Sequence, residues 1–148
     1  MAVLIDNRQS SIKISLEKME KTAQAILNAL AFPDAELSIL MVDDPQIEGF
    51  NRAYLHREGP TNVIAFPMRE GSFSDINPHL LGDVVISTDT AAKEAAAMGI
   101  ATETRIHELL IHGILHLFGY DHEDNEREAG RMEQKSAEIV EMISGLNV

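Results

Sequence analysis

Hydrophobic and polar positions follow two rhythms along this chain, and the switches between them predict its elements. Two short β-like runs open it, Val3 to Asp6 and Ser11 to Ser15, where Ile12 and Ile14 alternate with polar neighbours. Leu16, Met19, Ala23, Ile26 and Leu30 then recur at steps of three and four. That spacing predicts an amphipathic helix ending near Phe32 and Pro33, with its apolar stripe on the core. Glu36 to Val42 is apolar at Leu37, Ile39, Leu40, Met41 and Val42, which suits a strand covered on both faces. Asp43 or Asp44 with Pro45 starts a second helix, running to about Tyr54.

Pro60 and Thr61 lead into a strand over Asn62 to Phe66, closed by Pro67. Residues 69–79 hold Gly71, Ser72, Ser74, Asp75, Asn77 and Pro78 and read as a loop, after which Leu81 to Ile86 resumes as a buried strand. An alanine-rich helix covers Thr88 to Met98, and Gly99 stops it. A long helix follows from Thr102, the expected N-cap with Glu103 in the favourable first turn, to Phe118, with Gly119 as its stop. The last helix spans Asp124 to Ile143, with Ala129, Met132, Ser136, Ile139 and Ile143 on one face. There is no internal repeat and no low-complexity linker.

Composition sets the frame for these elements. A chain of 148 residues that is 45% hydrophobic and 24% charged fits one domain, residues 1–148, with a core able to stand without staples. The absence of cysteine excludes disulfides, thiol catalysis and thiolate metal sites and agrees with a reducing compartment. Any metal must therefore be held by His or carboxylate. Met1 to Asp6 lacks a basic n-region and a long apolar h-region, and no stretch approaches the roughly 20 apolar residues of a membrane span. A cytoplasmic protein with no membrane partner is expected. The net charge of −12, from 24 acidic and 12 basic residues, counts against a simple electrostatic nucleic-acid binder. Any RNA contact must come from a local patch or from a metal.

The candidate chemistry lies between His112 and His122. His112 and His116 are i and i+4 on the predicted long helix, so their imidazoles project from one face about a turn apart. Gly119 lets the chain leave the helix with φ > 0, so that His122 can swing back as a third ligand. Three neutral imidazoles leave one tetrahedral position open for water, the arrangement of catalytic rather than structural zinc. The expected cofactor is one Zn²⁺ per chain, whose water has its pKa lowered to about 7. The spacing His-x3-His-x2-Gly-x2-His equals that of the metzincin proteases, in which Glu follows the first His as general base. Here that position is Gly113, so a peptidase of that type lacks its proton acceptor. Phosphodiester hydrolysis suits the cradle, because the metal itself polarises the phosphoryl oxygen and supplies hydroxide.

Other candidates carry less. His107 and His112 are five apart and point away from one another, which rejects them as a metal pair. His107 reads as buried and hydrogen-bonded, with a place orienting a ligand or in the active-site wall as the alternative. Asp121 fits either a carboxylate behind a ligand imidazole or a loop cap. The acidic run from Asp121 to Glu126 lacks the Gly and the bidentate Glu of a calcium loop, Met132 standing where the Glu is needed, and so reads as a solvated helix start. Arg52, His56, Arg57 and Arg69 form a basic group near Pro60 that fits an arginine clamp on phosphate or a solvated helix end.

With these residues in hand, the chain resembles the bacterial YbeY family of metal-dependent endoribonucleases, the rRNA maturation factors. The likeness runs through Leu4-Ile5-Asp6-Asn7, Pro60-Thr61-Asn62-Val63-Ile64-Ala65-Phe66-Pro67, Leu81-Gly82-Asp83-Val84-Val85-Ile86 and the segment from His112 to His122. The resemblance implies a single α/β (α+β) domain in which a small, mostly parallel sheet of about four strands packs with about five helices, the metal site lying at the end of a central helix. It implies zinc on His112, His116 and His122. The implied substrate is single-stranded RNA, no DNA being expected, and the implied role is maturation of the 16S rRNA 3′ end and ribosome quality control. The small ribosomal subunit and its assembly factors are the implied partners. Family members commonly place an arginine directly after the Tyr that precedes the Pro-Thr segment, as an RNA contact. Here Leu55 follows Tyr54, and Arg57 is the candidate to take its place. Two alternatives stand beside this reading: a zinc hydrolase of peptides or esters, suggested by the metzincin spacing, and a non-catalytic ribosome-assembly factor with a structural metal.

Overall fold

Among the residues described by the computed structural model, 3–68, 80–120 and 126–144, the elements run β1 (Val3–Asn7), α1 (Leu16–Ala29), β2 (Glu36–Val42), α2 (Asp44–Leu55), β3 (Val63–Pro67), β4 (Leu80–Ser87), α3 (Thr88–Met98), α4 (Thr102–Leu117) and α5 (Glu126–Ser144). The strands form one sheet in the order β1-β2-β4-β3. β1, β2 and β4 pair in parallel, and β3 closes the edge antiparallel to β4. This is the small, mostly parallel sheet with helices that the sequence led us to expect.

Strand alternation divides the core in two. Leu37, Ile39 and Met41 point from β2 into the main cluster with Met19 and Ile26 of α1 and Ile106, Leu110 and Ile114 of α4. On the other face Val42, Val85 and Ile64 bury Ile47 of α2. β2 is thus covered on both sides, as its near-continuous apolar run requires. α4 carries the fold: Ile106, Leu110 and Ile114 are fully buried, each contributing roughly 1.5–3 kcal/mol.

Local chemistry fixes the helix ends. Asp43 and Gln46 form a capping box on either side of Pro45, and Ser87 caps α3 by accepting from Thr90 N. Gly99 ends α3 in the left-handed region, at φ 71°. Three boundaries depart from expectation. α1 ends at Ala29, because the N–H groups of Leu30, Ala31 and Phe32 turn back onto the carbonyls of Ile26, Asn28 and Leu27. Thr102 is the first residue of α4 and not its cap; Ala101 holds that place without a side-chain hydrogen bond. Ser11 to Ser15 forms no strand. There the Gln9 amide both accepts from Ile12 N and donates to Ile12 O, each at 2.9 Å, taking the two backbone groups a neighbouring strand would have used. Ile12 and Ile14 still pack against the main core. The loop expected at 69–79, and Asp124 at the expected start of the last helix, lie outside the described residues.

Candidate metal centre and cleft

One stripe of α4 carries Arg105, His112 and His116, related as i, i+7 and i+11, so that all three project to the same side. The two imidazole centres are 5.0 Å apart and their planes lie at 64°. That spacing fits a shared ion: two rings whose nitrogens each sit about 2.0–2.1 Å from one zinc in tetrahedral geometry have centres roughly 5 Å apart. Past the helix, Gly119 takes φ 96° while its N–H donates to His116 O at 3.0 Å, the turn expected of it. His122, the third expected ligand, lies outside the described residues, as do Asp121 and Arg69. Among the described residues alone no three His, Asp or Glu side chains gather into a metal cluster.

The histidines form one wall of a cleft of about 660 Å³, whose other wall is the α2–β3 connection. That connection is tied down from inside. Asn51, 4% exposed, donates from Nδ2 to Gly59 O at 3.0 Å, while its carbonyl accepts from Arg57 N at 3.2 Å. At its far end Asn62 accepts from Val63 N at 2.7 Å, and its carbonyl accepts from Ser87 N at 2.9 Å. Held this way, Arg57 and Glu58 line the cleft opposite α4. The described members of the expected basic group do not act together. Arg52 pairs with Glu48 at 2.9 Å along the exposed side of α2, and His56 is the left-handed C-cap of that helix. Arg57 is the member that faces the histidines across the cleft.

Arg105 was not among the sequence candidates, yet it lines the same cleft. Its Nε donates to Glu94 at 2.9 Å and one Nη donates to Glu108 at 3.0 Å. Burial works against its charge, but the bonds it donates to Glu108 and Glu94 outweigh burial and hold the guanidinium charged. The signal for it was available in the seven-residue spacing to His112. Gly113 also gains a structural reason. A β-carbon there would lie 2.7 Å from Val84 Cγ1 and 3.2 Å from Val63 Cγ2, so α4 reaches the sheet only through glycine. His107 sits on another side of α4, and its Nε2 is shut off from solvent with no hydrogen bond among the described residues. A carboxylate oxygen of Glu103 lies 3.9 Å away. The hydrogen-bonded histidine expected there is corrected at Nε2, which finds no hydrogen-bond partner among the described residues.

A family model described as Endoribonuclease YbeY matches residues 4–144. The chain belongs to the endoribonuclease YbeY family. Relatives bearing that name include one from Syntrophotalea carbinolica, 52% identical over 140 residues, covering 94% of this chain and 93% of its own. Another, from Geobacter sulfurreducens, is 51% identical over 144 residues, 97% of this chain and 96% of its own. A solution structure of a Thermotoga maritima protein superposes with a TM-score of 0.69 at 24% identity, covering 97% of this chain and 89% of that one, which shows the shared fold. The YbeY match spans both walls of the cleft, from the α2–β3 connection to the histidines of α4.

Proposed function

We propose that this chain is a metal-dependent endoribonuclease that cuts single-stranded RNA in this cleft, with one zinc ion held by His112, His116 and His122. Its place is in maturation of the 16S rRNA 3′ end and ribosome quality control, in the cytoplasm, beside the small ribosomal subunit and its assembly factors. The observation that carries the reading is the pair of imidazoles, 5.0 Å apart, set in the wall of a cleft that Arg57 and Glu58 face. No described helix is long and apolar enough to cross a membrane.

A divalent ion at these histidines lowers the pKa of its water toward about 7 and polarises a phosphoryl oxygen. The chain's own residues do the rest. Arg57 donates N–H groups to a phosphate oxygen and fixes the strand against α4. Arg105 sets that wall, and since Glu94 and Glu108 match its charge, it adds little net attraction. Glu58, the carboxylate lining the cleft among the described residues, takes a proton from the attacking water. Tyr54, 64% exposed and stacked on Phe50 next to Leu55 of the cleft, offers a π face to a base. This arrangement copes with a net charge of −12: attraction is local and does not come from a basic surface. Gly113 counts against the peptidase alternative, since the position of its general base admits no side chain without moving Val84.

The test is incubation of zinc-loaded protein with a single-stranded 16S precursor fragment. Cleavage that chelation abolishes and His116→Ala eliminates is expected. An intact fragment, together with normal 16S 3′ ends in cells carrying His116→Ala, sinks the proposal.

A further inference from the structure

The segment from Asp44 to Asn62 carries α2 and the far wall of the cleft, and α3 holds it at both ends. At its start Lys93 Nζ donates to Asp44 at 2.9 Å, beside the 2.6 Å bond from Ser87 Oγ at the N-cap of α3. At its end Asn62 donates from Nδ2 to both oxygens of Glu94, at 3.3 Å to Oε1 and 3.2 Å to Oε2. Glu94 Oε1 also accepts from Arg105 Nε at 2.9 Å, and Arg105 donates from one Nη to Glu108 at 3.0 Å. One carboxylate on α3 therefore joins a residue of each wall: Asn62 and Arg105 both line the cleft, and Glu94 bonds both from outside the lining.

Both partners of Glu94 lie close to the residues that would act on a strand. Asn62 leads into Val63, whose Cγ2 would stand 3.2 Å from a β-carbon on Gly113, next to His112. Towards the N-terminus only Thr61 and Pro60 separate Asn62 from Gly59, whose carbonyl Asn51 holds at 3.0 Å, and Arg57 and Glu58 come directly before. Pro60 has a fixed φ, so little of a displacement at Asn62 is absorbed before it reaches Glu58. On the other wall Arg105 shares its stripe of α4 with His112 and His116. Glu94 is 32% exposed, and an ion pair at such a position contributes little to stability. What it fixes is distance, and a misplacement of about 1 Å can cost about a hundredfold in rate. We propose that Glu94 is a positioning residue of this cleft: through Asn62 and Arg105 it sets the distance between the wall bearing Arg57 and Glu58 and the stripe bearing His112 and His116. The proposal rests on the endoribonuclease reading for its effect on RNA, whereas the placement of the walls is independent of substrate.

The test exchanges the two polar partners. Glu94→Gln can keep its oxygen on Arg105 but then turns an N–H group toward Asn62 Nδ2, donor against donor, and Asn62→Asp sets two carboxylates 3.2 Å apart. Together they restore the bond in the opposite sense at unchanged total charge, the new amide donating to a new carboxylate that still accepts from Val63 N. Two properties of the zinc-loaded protein are followed: turnover on a single-stranded RNA fragment, and the backbone amide resonances of Arg57 and Glu58. Each single variant is expected to keep its zinc content and nearly the parent Tm, to lose about tenfold in kcat and to shift both resonances. The double variant should return kcat to within about threefold of the parent and bring both resonances back. Glu94→Asp keeps the charge but is one methylene too short to reach both partners, so it should lose as much as Glu94→Gln and decides the matter if that variant fails to fold. Parent-like turnover in Glu94→Gln and Glu94→Asp overturns the inference, as does a loss that the double exchange leaves unrepaired. Resonances of Arg57 and Glu58 that no variant moves overturn it too. RNA left intact by the parent protein sinks the endoribonuclease reading alone, and the two resonances then decide whether Glu94 places the wall.

Discussion

A β-carbon on Gly113 would stand 2.7 Å from Val84 Cγ1, and Val84 is fully buried with a stiff, branched side chain. The contact sets how closely α4 lies on the sheet and therefore where His112 meets the α2–β3 connection. Alanine is ordinarily the better helix residue by about 1 kcal/mol, so Gly113→Ala should stabilise an unconstrained helix. Here overpacking reverses the sign, and a net loss of about 1–2 kcal/mol in urea denaturation is expected. Adding Val84→Ala should recover part of it, giving a favourable coupling in the double-mutant cycle. A Gly113→Ala chain more stable than the parent would show that α4 has room to move.

The metal reading has a stability consequence separate from activity. Zinc binding at about a hundredfold above its dissociation constant stabilises by about 2.7 kcal/mol, so chelation should lower Tm by roughly 5–10 °C. His112→Ala and His116→Ala should each drop bound zinc well below one ion per chain by elemental analysis and make Tm insensitive to chelator. Full zinc content in both variants would place the ion elsewhere.

Much of this was legible in the chain because short-range rules decide it. The three-and-four steps from Leu16, the Asp43-Asp44-Pro45 start and the apolar run at Glu36 to Val42 each correspond to an element. The spacing of His112 and His116 gave their shared face. What escaped depends on contacts between distant segments. Ile12 and Ile14 alternate like a strand, but the Gln9 side chain satisfies the Ile12 backbone instead of a neighbouring strand. Arg105 is on the histidine face by its spacing, yet its place in the cleft depends on Glu94 from α3. That His107 Nε2 has no hydrogen bond among the described residues follows from the packing of distant segments, which no local pattern encodes.

Asp44 joins three elements. Its carboxylate accepts from Ser87 Oγ at 2.6 Å, from Thr90 Oγ1 and from Lys93 Nζ at 2.9 Å, while its own N–H donates to Asp89. Burial pushes its pKa up, but the bonds from Ser87, Thr90 and Lys93 outweigh burial and hold it below the usual 3.8. With the folded value depressed, the stabilisation is complete above the unfolded pKa and is lost as pH falls through the folded one. Asp44→Asn should cost about 1.5–3 kcal/mol at pH 7 and flatten the stability curve below pH 4. An unchanged acid limb in that variant would remove Asp44 from the account.

Glu58 should act on rate and not on binding. Glu58→Gln keeps the shape of the side chain and removes its proton-accepting oxygen. Turnover on single-stranded RNA is expected to fall about a hundredfold with KM unchanged. A rise in KM with kcat intact would make Glu58 a binding residue.

RNA affinity should depend only weakly on salt. Among the described residues Arg57 and Arg105 line the cleft, but Glu94 and Glu108 already match the charge of Arg105, so few phosphates are neutralised by these side chains. Single strands lose about 0.7 in log K per phosphate contact for each decade of salt, which predicts a slope near −1. Arg57→Ala should weaken binding about tenfold and bring the slope toward zero, whereas Arg57→Lys, which keeps the charge but not the paired donors, should preserve the slope and lose part of the affinity. Arg105→Ala leaves Glu94 and Glu108 without their cation and should lower stability more than it alters the salt slope. A measured slope near −5 would require a phosphate-binding surface well beyond these two arginines, and would move the RNA path out of this cleft.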